Sequence, residues 1–167
     1  MRRLFLLSLL ALIATTSAQA AEPFKSFNVV LLQPNAVLEQ RVPSVDAMAA
    51  YIQAVQAASR EGVVASGSAQ AASGFIVVAV KPGLKSKVWL DFDGLTDLEI
   101  QRQIAARVQA VKPFEAAQGP VVFALKVATW GGKESRRTLP SPSEWKAASA
   151  EGAPVEVGEL VERVWRD

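Results

Sequence analysis

The densest group of chemistry-bearing side chains in the sequence is Asp91-Phe92-Asp93-Gly94, followed closely by Asp97 and Glu99. Clustered carboxylate oxygens are what a calcium ion requires, which makes Asp91 and Asp93 the metal-ligand candidates. The spacing departs from an EF-hand loop, because Gly94 stands fourth in the run and Leu95 fifth, where the loop needs its glycine sixth. A strand end, a turn at Asp93-Gly94 and an acid-rich helix start account for the same residues without a metal. Paired carboxylates can also cleave glycosides, and Asp91 and Asp93 share a strand face with Glu99 as a further partner. Ser143-Glu144-Trp145-Lys146 has the Ser-x-x-Lys spacing of a serine nucleophile with a lysine base, but it lies behind a helix-capping pattern.

Other chemistries are excluded by composition. The 167 residues contain no Cys and no His. Thiolate nucleophiles, disulfides, zinc–thiolate sites, imidazole ligands and Ser-His-Asp or Cys-His machinery are therefore absent. Neither phosphate-cradling glycine pattern occurs, so no cofactor is expected. Lys+Arg number 18 against Asp+Glu 16, and loss of Arg2 and Arg3 with a cleaved leader would bring the two into balance. A neutral chain lacks the basic footprint of nucleic-acid binding, so no nucleic-acid partner is expected. The basic clusters Lys81/Lys85/Lys87 and Lys133/Arg136/Arg137 read as solvated loops.

That leader is residues 1–20, MRRLFLLSLLALIATTSAQA. Arg2 and Arg3 supply its charged start, Leu4 to Ile13 its apolar run, and Ala18-Gln19-Ala20 the small residues before a cut between Ala20 and Ala21. The run is too short to span a bilayer. The expectation is Sec-type export to a bacterial periplasm, with no stable membrane insertion after cleavage.

The elements that must position the candidate residues follow from periodicity. Phe24 to Leu32 reads as a strand, with Phe27, Val29 and Leu31 in alternation. Val45, Met48, Ile52 and Val55 make one helical face, capped by Ser44 and expected to end near Ser59, with residues 60–73 as a loop. Phe75 to Lys81 is a buried strand, and Ser86 to Phe92 a half-buried one joined to it as a hairpin. Thr96-Asp97-Leu98-Glu99 reads as a capping box before a helix with Ile100, Ile104, Val108 and Val111 on one face. Val121 to Trp130 alternates as a strand. Ser141 to Glu144 is a second capping box, before a short helix through Ala150. Val157, Leu160, Val161 and Val164 have helical spacing, with a short strand at 155–157 as the alternative start.

The assembled order is β-α-β-β-α-β with a helical tail. It predicts an α+β fold: a small, mostly antiparallel sheet, helices on one face, and a split pairing pattern in outline. The divisions are a leader at 1–20, a domain at 21–130 and a C-terminal tail at 131–167, packed on the domain. On the second strand of the hairpin, Lys87, Trp89 and Asp91 share the face opposite Val88, Leu90 and Phe92. Left bare, that face is an interaction surface centred on Trp89. Alternatively, the C-terminal helix covers it through Val161, Val164 and Trp165.

Residues 44–130, in the order helix, strand, strand, helix, strand, resemble the carboxy-terminal domain of the TonB/TolA group of periplasmic coupling proteins. The likeness rests on the hairpin from Gly74 to Phe92, the helix exit Ala110-Val111-Lys112-Pro113-Phe114 and the strand start Gly119-Pro120-Val121-Val122-Phe123. It implies a fold of that kind. It carries no energy-coupling role and no partner-binding residues, because the leader is cleavable and the tyrosine–proline motif before the first helix is absent. The functional expectation is an exported, non-catalytic binding or adaptor module with a protein partner in the envelope. A carboxylate-only hydrolase and a structural component of an envelope complex are the alternatives.

Overall fold

The computed structural model describes residues 21–149 and 156–165, so the expected leader and residues 150–155 lie outside the described residues. The elements are β1 (Phe24–Leu31), α1 (Asn35–Arg41), α2 (Val45–Ala65), β2 (Ala72–Lys81), β3 (Lys85–Asp93), α3 (Leu98–Gln109), β4 (Val121–Thr129), α4 (Ser143–Ser149) and α5 (Val157–Val164). The fold is α+β. The four strands form one antiparallel sheet in the order β1-β4-β2-β3. Each β-α-β unit is split: β4 lies between β1 and β2, and β2 lies between β3 and β4.

The unbroken apolar runs of β2 and β4 follow from that order. Both strands are central and both sheet faces are covered, so both sets of alternating side chains are buried. Ile76, Val78 and Val80 of β2, with Val121, Phe123, Leu125 and Val127 of β4, face the main core under α2 and α3. Phe75, Val77 and Ala79, with Val122 and Ala124, face a second cluster under α4 and α5. The tail thus packs on the domain and covers the opposite sheet face.

Helix α2 starts where Ser44 accepts a hydrogen bond from the Ala47 amide at 3.2 Å, with Asp46 in its first turn. It runs to Ala65, past the expected end at Ser59. Gly62 looks like a helix breaker in sequence, but here it is a contact point. A Cβ there would lie 2.8 Å from the Ile104 Cα, so the glycine lets α3 pass close to α2. Val63, beside it, is fully buried. Helix α3 is capped by Asp97, which accepts from the Glu99 and Ile100 amides at 2.9 and 3.0 Å. The expected cap at Thr96 is therefore displaced by one residue. Thr96 and Asp97 are held instead by Gln70, which accepts both their amides. Among the described residues, no helix is long and apolar enough to cross a membrane.

Candidate functional site

Asp91 and Asp93 end β3, and the carboxylates expected to offer metal ligands are already engaged. Arg137 reaches back from the tail. Its Nη1 donates to Asp91 Oδ2 at 2.6 Å, its Nη2 to the Asp91 carbonyl at 2.7 Å, and its Nε to Asp93 at 3.2 Å. The Ser141 amide donates to Asp91 Oδ2 at 2.6 Å and the Ser135 hydroxyl to Asp93 Oδ2 at 3.1 Å. Glu99 lies on α3, bonded to Arg102 and Gln103, and does not join them. Among the described residues, no group of three His, Cys, Asp or Glu could hold a metal ion. The Asp91/Asp93 cluster is a clasp that docks the start of the tail against the edge of β3. Its cationic member is separated from the acids by the whole of α3 and β4, which is why the spacing of the acids alone does not reveal it.

The face carrying Lys87, Trp89 and Asp91 is likewise no open interaction surface. Trp89 is only 6% exposed. Its ring meets Trp145 of α4 edge-on, with centroids 5.5 Å apart. Its indole Nε1–H donates to Glu144 at 2.8 Å, and Lys87 holds the same carboxylate oxygen at 3.2 Å. The Trp89 bond, joined by that of Lys87, outweighs burial and holds the Glu144 carboxyl below the usual carboxylate range. Glu144 therefore clamps the tail and does not close a capping box. Ser143 and Lys146 sit with it on α4, in a seven-residue helix that buries Trp145.

Helix α5 is pinned at both ends. At its C-terminus, Lys81 Nζ donates to the Trp165 carbonyl at 2.7 Å, pairs with Glu162 at 2.7 Å and lies 4.7 Å above the Trp165 ring. A cation at this end also complements the helix dipole. At its N-terminus, Glu156 caps the helix by accepting from the Glu159 amide. Gln33, buried after β1, donates to Glu156 at 3.0 Å and to the Pro120 carbonyl at 3.1 Å, and accepts from the Val122 amide at 3.0 Å. Arg41 donates to the same Pro120 carbonyl at 2.9 Å. Burial works against ionisation of Glu156, but the Gly158 amide, Gln33 and Arg41 together hold its carboxyl below the usual range.

The bare surface lies elsewhere, at β1. This outer strand has β4 as its one neighbour, and its pairing shifts register between Ser26 and Asn28. Of its alternating residues Phe27 is half-buried, while Val29 is 36% and Leu31 47% accessible. Leu31 shares one groove with Val45 of α2 and another with Leu139 of the tail. The other outer strand, β3, carries Lys85, Lys87, Asp91 and Asp93 instead. Alternation in Phe27, Val29 and Leu31 identifies the strand correctly but does not distinguish a core face from an exposed one.

No family model, curated protein or solved structure matches the chain.

Proposed function

We propose that the chain is an exported adaptor of the bacterial envelope. In this reading it is cleaved between Ala20 and Ala21, resides in the periplasm and binds a protein partner without catalysis. The likeness of residues 44–130 to the TonB/TolA carboxy-terminal domains belongs to the same proposal. The observation that carries it is the contrast between the two outer strands. Charged side chains and bulges are the usual means of blunting a sheet edge. Strand β3 carries charges along its length; β1 has one, Lys25, and a bulge near Phe27, beyond which Val29 and Leu31 are exposed. An extended apolar segment of a partner would add antiparallel to β1 as a fifth strand, its backbone supplying affinity and alternate side chains meeting Val29 and Leu31. A carboxylate hydrolase is disfavoured by the direction of the shifts, since the general acid of such an enzyme needs a raised pKa. Among the described residues, the carboxylates that move, Asp97, Glu144 and Glu156, are all lowered.

The test is crosslinking in cells that express the full chain with a C-terminal tag, followed by purification. The expected result is a processed chain beginning at Ala21, with a stoichiometric protein partner that is lost in Val29→Lys and Leu31→Lys. A chain recovered alone, or a partner retained by both variants, would overturn the adaptor reading.

A further inference from the structure

Where β1 ends, the sheet, the Leu139 loop and the two tail helices line an open groove of about 570 Å³. Ligand pockets typically span about 300–1,000 Å³ and are mostly apolar with a few convergent polar groups. This one fits that description. Its lining is largely Leu31, Leu32, Leu139, Trp145 and Leu160, and Lys146 is the one charged side chain among the described lining residues. We infer that the groove binds a single-chain amphiphile with an anionic head, the acyl chain lying among the leucines and the head beside Lys146.

Two observations converge on that class. The first is charge. Lys81, Lys87 and Lys126 each hold a carboxylate within 3.2 Å, whereas Lys146 holds none among the described residues. A cation set against an otherwise apolar wall, with no acid in the described lining, complements an anion. The second is exposed apolar surface. Leu31 and Leu139 are 47% and 60% accessible, and a hydrocarbon chain would remove both from water. A peptide suits the groove less well, because its backbone would need polar partners. The lining offers the hydroxyls of Ser141 and Ser149, and the second already donates to the Trp145 carbonyl at 2.8 Å.

This site uses Leu31 but does not depend on the adaptor reading, and its test is independent of any protein partner. Sodium laurate, kept below its micellar concentration, is titrated into the purified full chain by calorimetry. Lauroyl lysophosphatidylglycerol and dodecyltrimethylammonium are titrated in parallel. The expected result is saturable one-to-one binding of the two anions, weakened about tenfold in Lys146→Glu and in Leu139→Asp. The cationic analogue should bind far more weakly. Tighter laurate binding would identify a free fatty acid as the source of the ligand; tighter lysolipid binding would identify a membrane lipid. Both replaced side chains are exposed, so the variants should melt as the parent does; Lys146→Gln serves if the charge reversal lowers the melt. Absence of saturable binding by both anions would overturn the inference. So would equal binding by the cationic analogue, or unchanged affinity in both variants.

Discussion

Replacing Gly158 by Ala sets two effects of opposite sign against each other. Gly158 lies in the first turn of α5, and helix propensity alone favours Ala by up to about 1 kcal/mol. The structure opposes that gain. The new Cβ would stand 2.6 Å from both Arg41 Nη1 and Glu156 Oε2, and 3.1 Å from Gln33 Nε2. All three are tips of flexible side chains, so steric displacement by itself is cheap. Their bonds are what make it costly, because Arg41 and Gln33 share the Pro120 carbonyl and Gln33 also holds the Val122 amide. A hydrogen bond from a charged group contributes about 1.5–3 kcal/mol. The low end applies here, since the Arg41 and Glu156 side chains are 21% and 33% accessible and partly screened. Gly158→Ala should therefore destabilise the protein by about 0.5–1 kcal/mol once the gain in helix propensity is set against the lost contacts. In an Arg41→Ala background one of the two 2.6 Å contacts and the bond it would strain are gone, and the same substitution should cost less or become neutral. Urea midpoints for the four proteins of this cycle give the coupling directly. A Gly158→Ala protein more stable than the parent, or the same effect in both backgrounds, would refute the reasoning.

Two further outcomes test how the tail is held. Trp89→Ala removes a buried indole, its edge contact with Trp145 and its bond to Glu144. A loss of about 3–5 kcal/mol is expected, lowering the melting temperature on the order of 10 °C, and an unchanged melt would mean that the tail does not cover this face. Glu144 and Glu156 both titrate below their ordinary value of 4.5, so the ionised forms contribute stability that is fully present above that pH and lost as pH falls through the lowered values. Melting temperatures followed from pH 6 to about pH 3 should accordingly fall more steeply for the parent than for a Glu144→Gln/Glu156→Gln protein; parallel curves would show that the clamps carry no such linkage.

Much of the architecture is legible in local pattern. The strands β3 and β4 and the helix faces of Met48–Val55 and Ile100–Val108 are marked by period, and β2 by an unbroken apolar run too short for a helix. The misreadings have identifiable causes. Arg60 to Ala65 stays helical because Gly62 meets Ile104 across the helix pair, a tertiary contact that overrides its weak propensity. Helix α1 escapes notice because it has seven residues, no side-chain cap and no acid in its first turn. The cap of α3 moves to Asp97 because Gln70, from the segment before β2, claims the Thr96 amide. The candidate site is less legible than the fold. Asp91, Asp93 and Trp89 are the right residues to single out, since each makes a concentrated polar contact. Their partners Arg137 and Glu144 come from the far side of β4, and no spacing rule links them.

The split pairing also dictates an order of events. Among the described strands β1 has no sheet neighbour except β4, so the first strand to be made stays unpaired until β4, about 100 residues later, has followed it. The hairpin of β2 and β3 can form early, but it remains bare on its β4 side and on the face that α4 and α5 later cover. Closure by distant segments makes for slow folding and leaves apolar strands open to mispairing in the interval. A chain delivered N-terminus first would complete its sheet only with β4, and its second layer later still, with α5. Truncation within the tail would then leave Phe75, Val77 and Trp89 exposed on a sheet whose other face is complete.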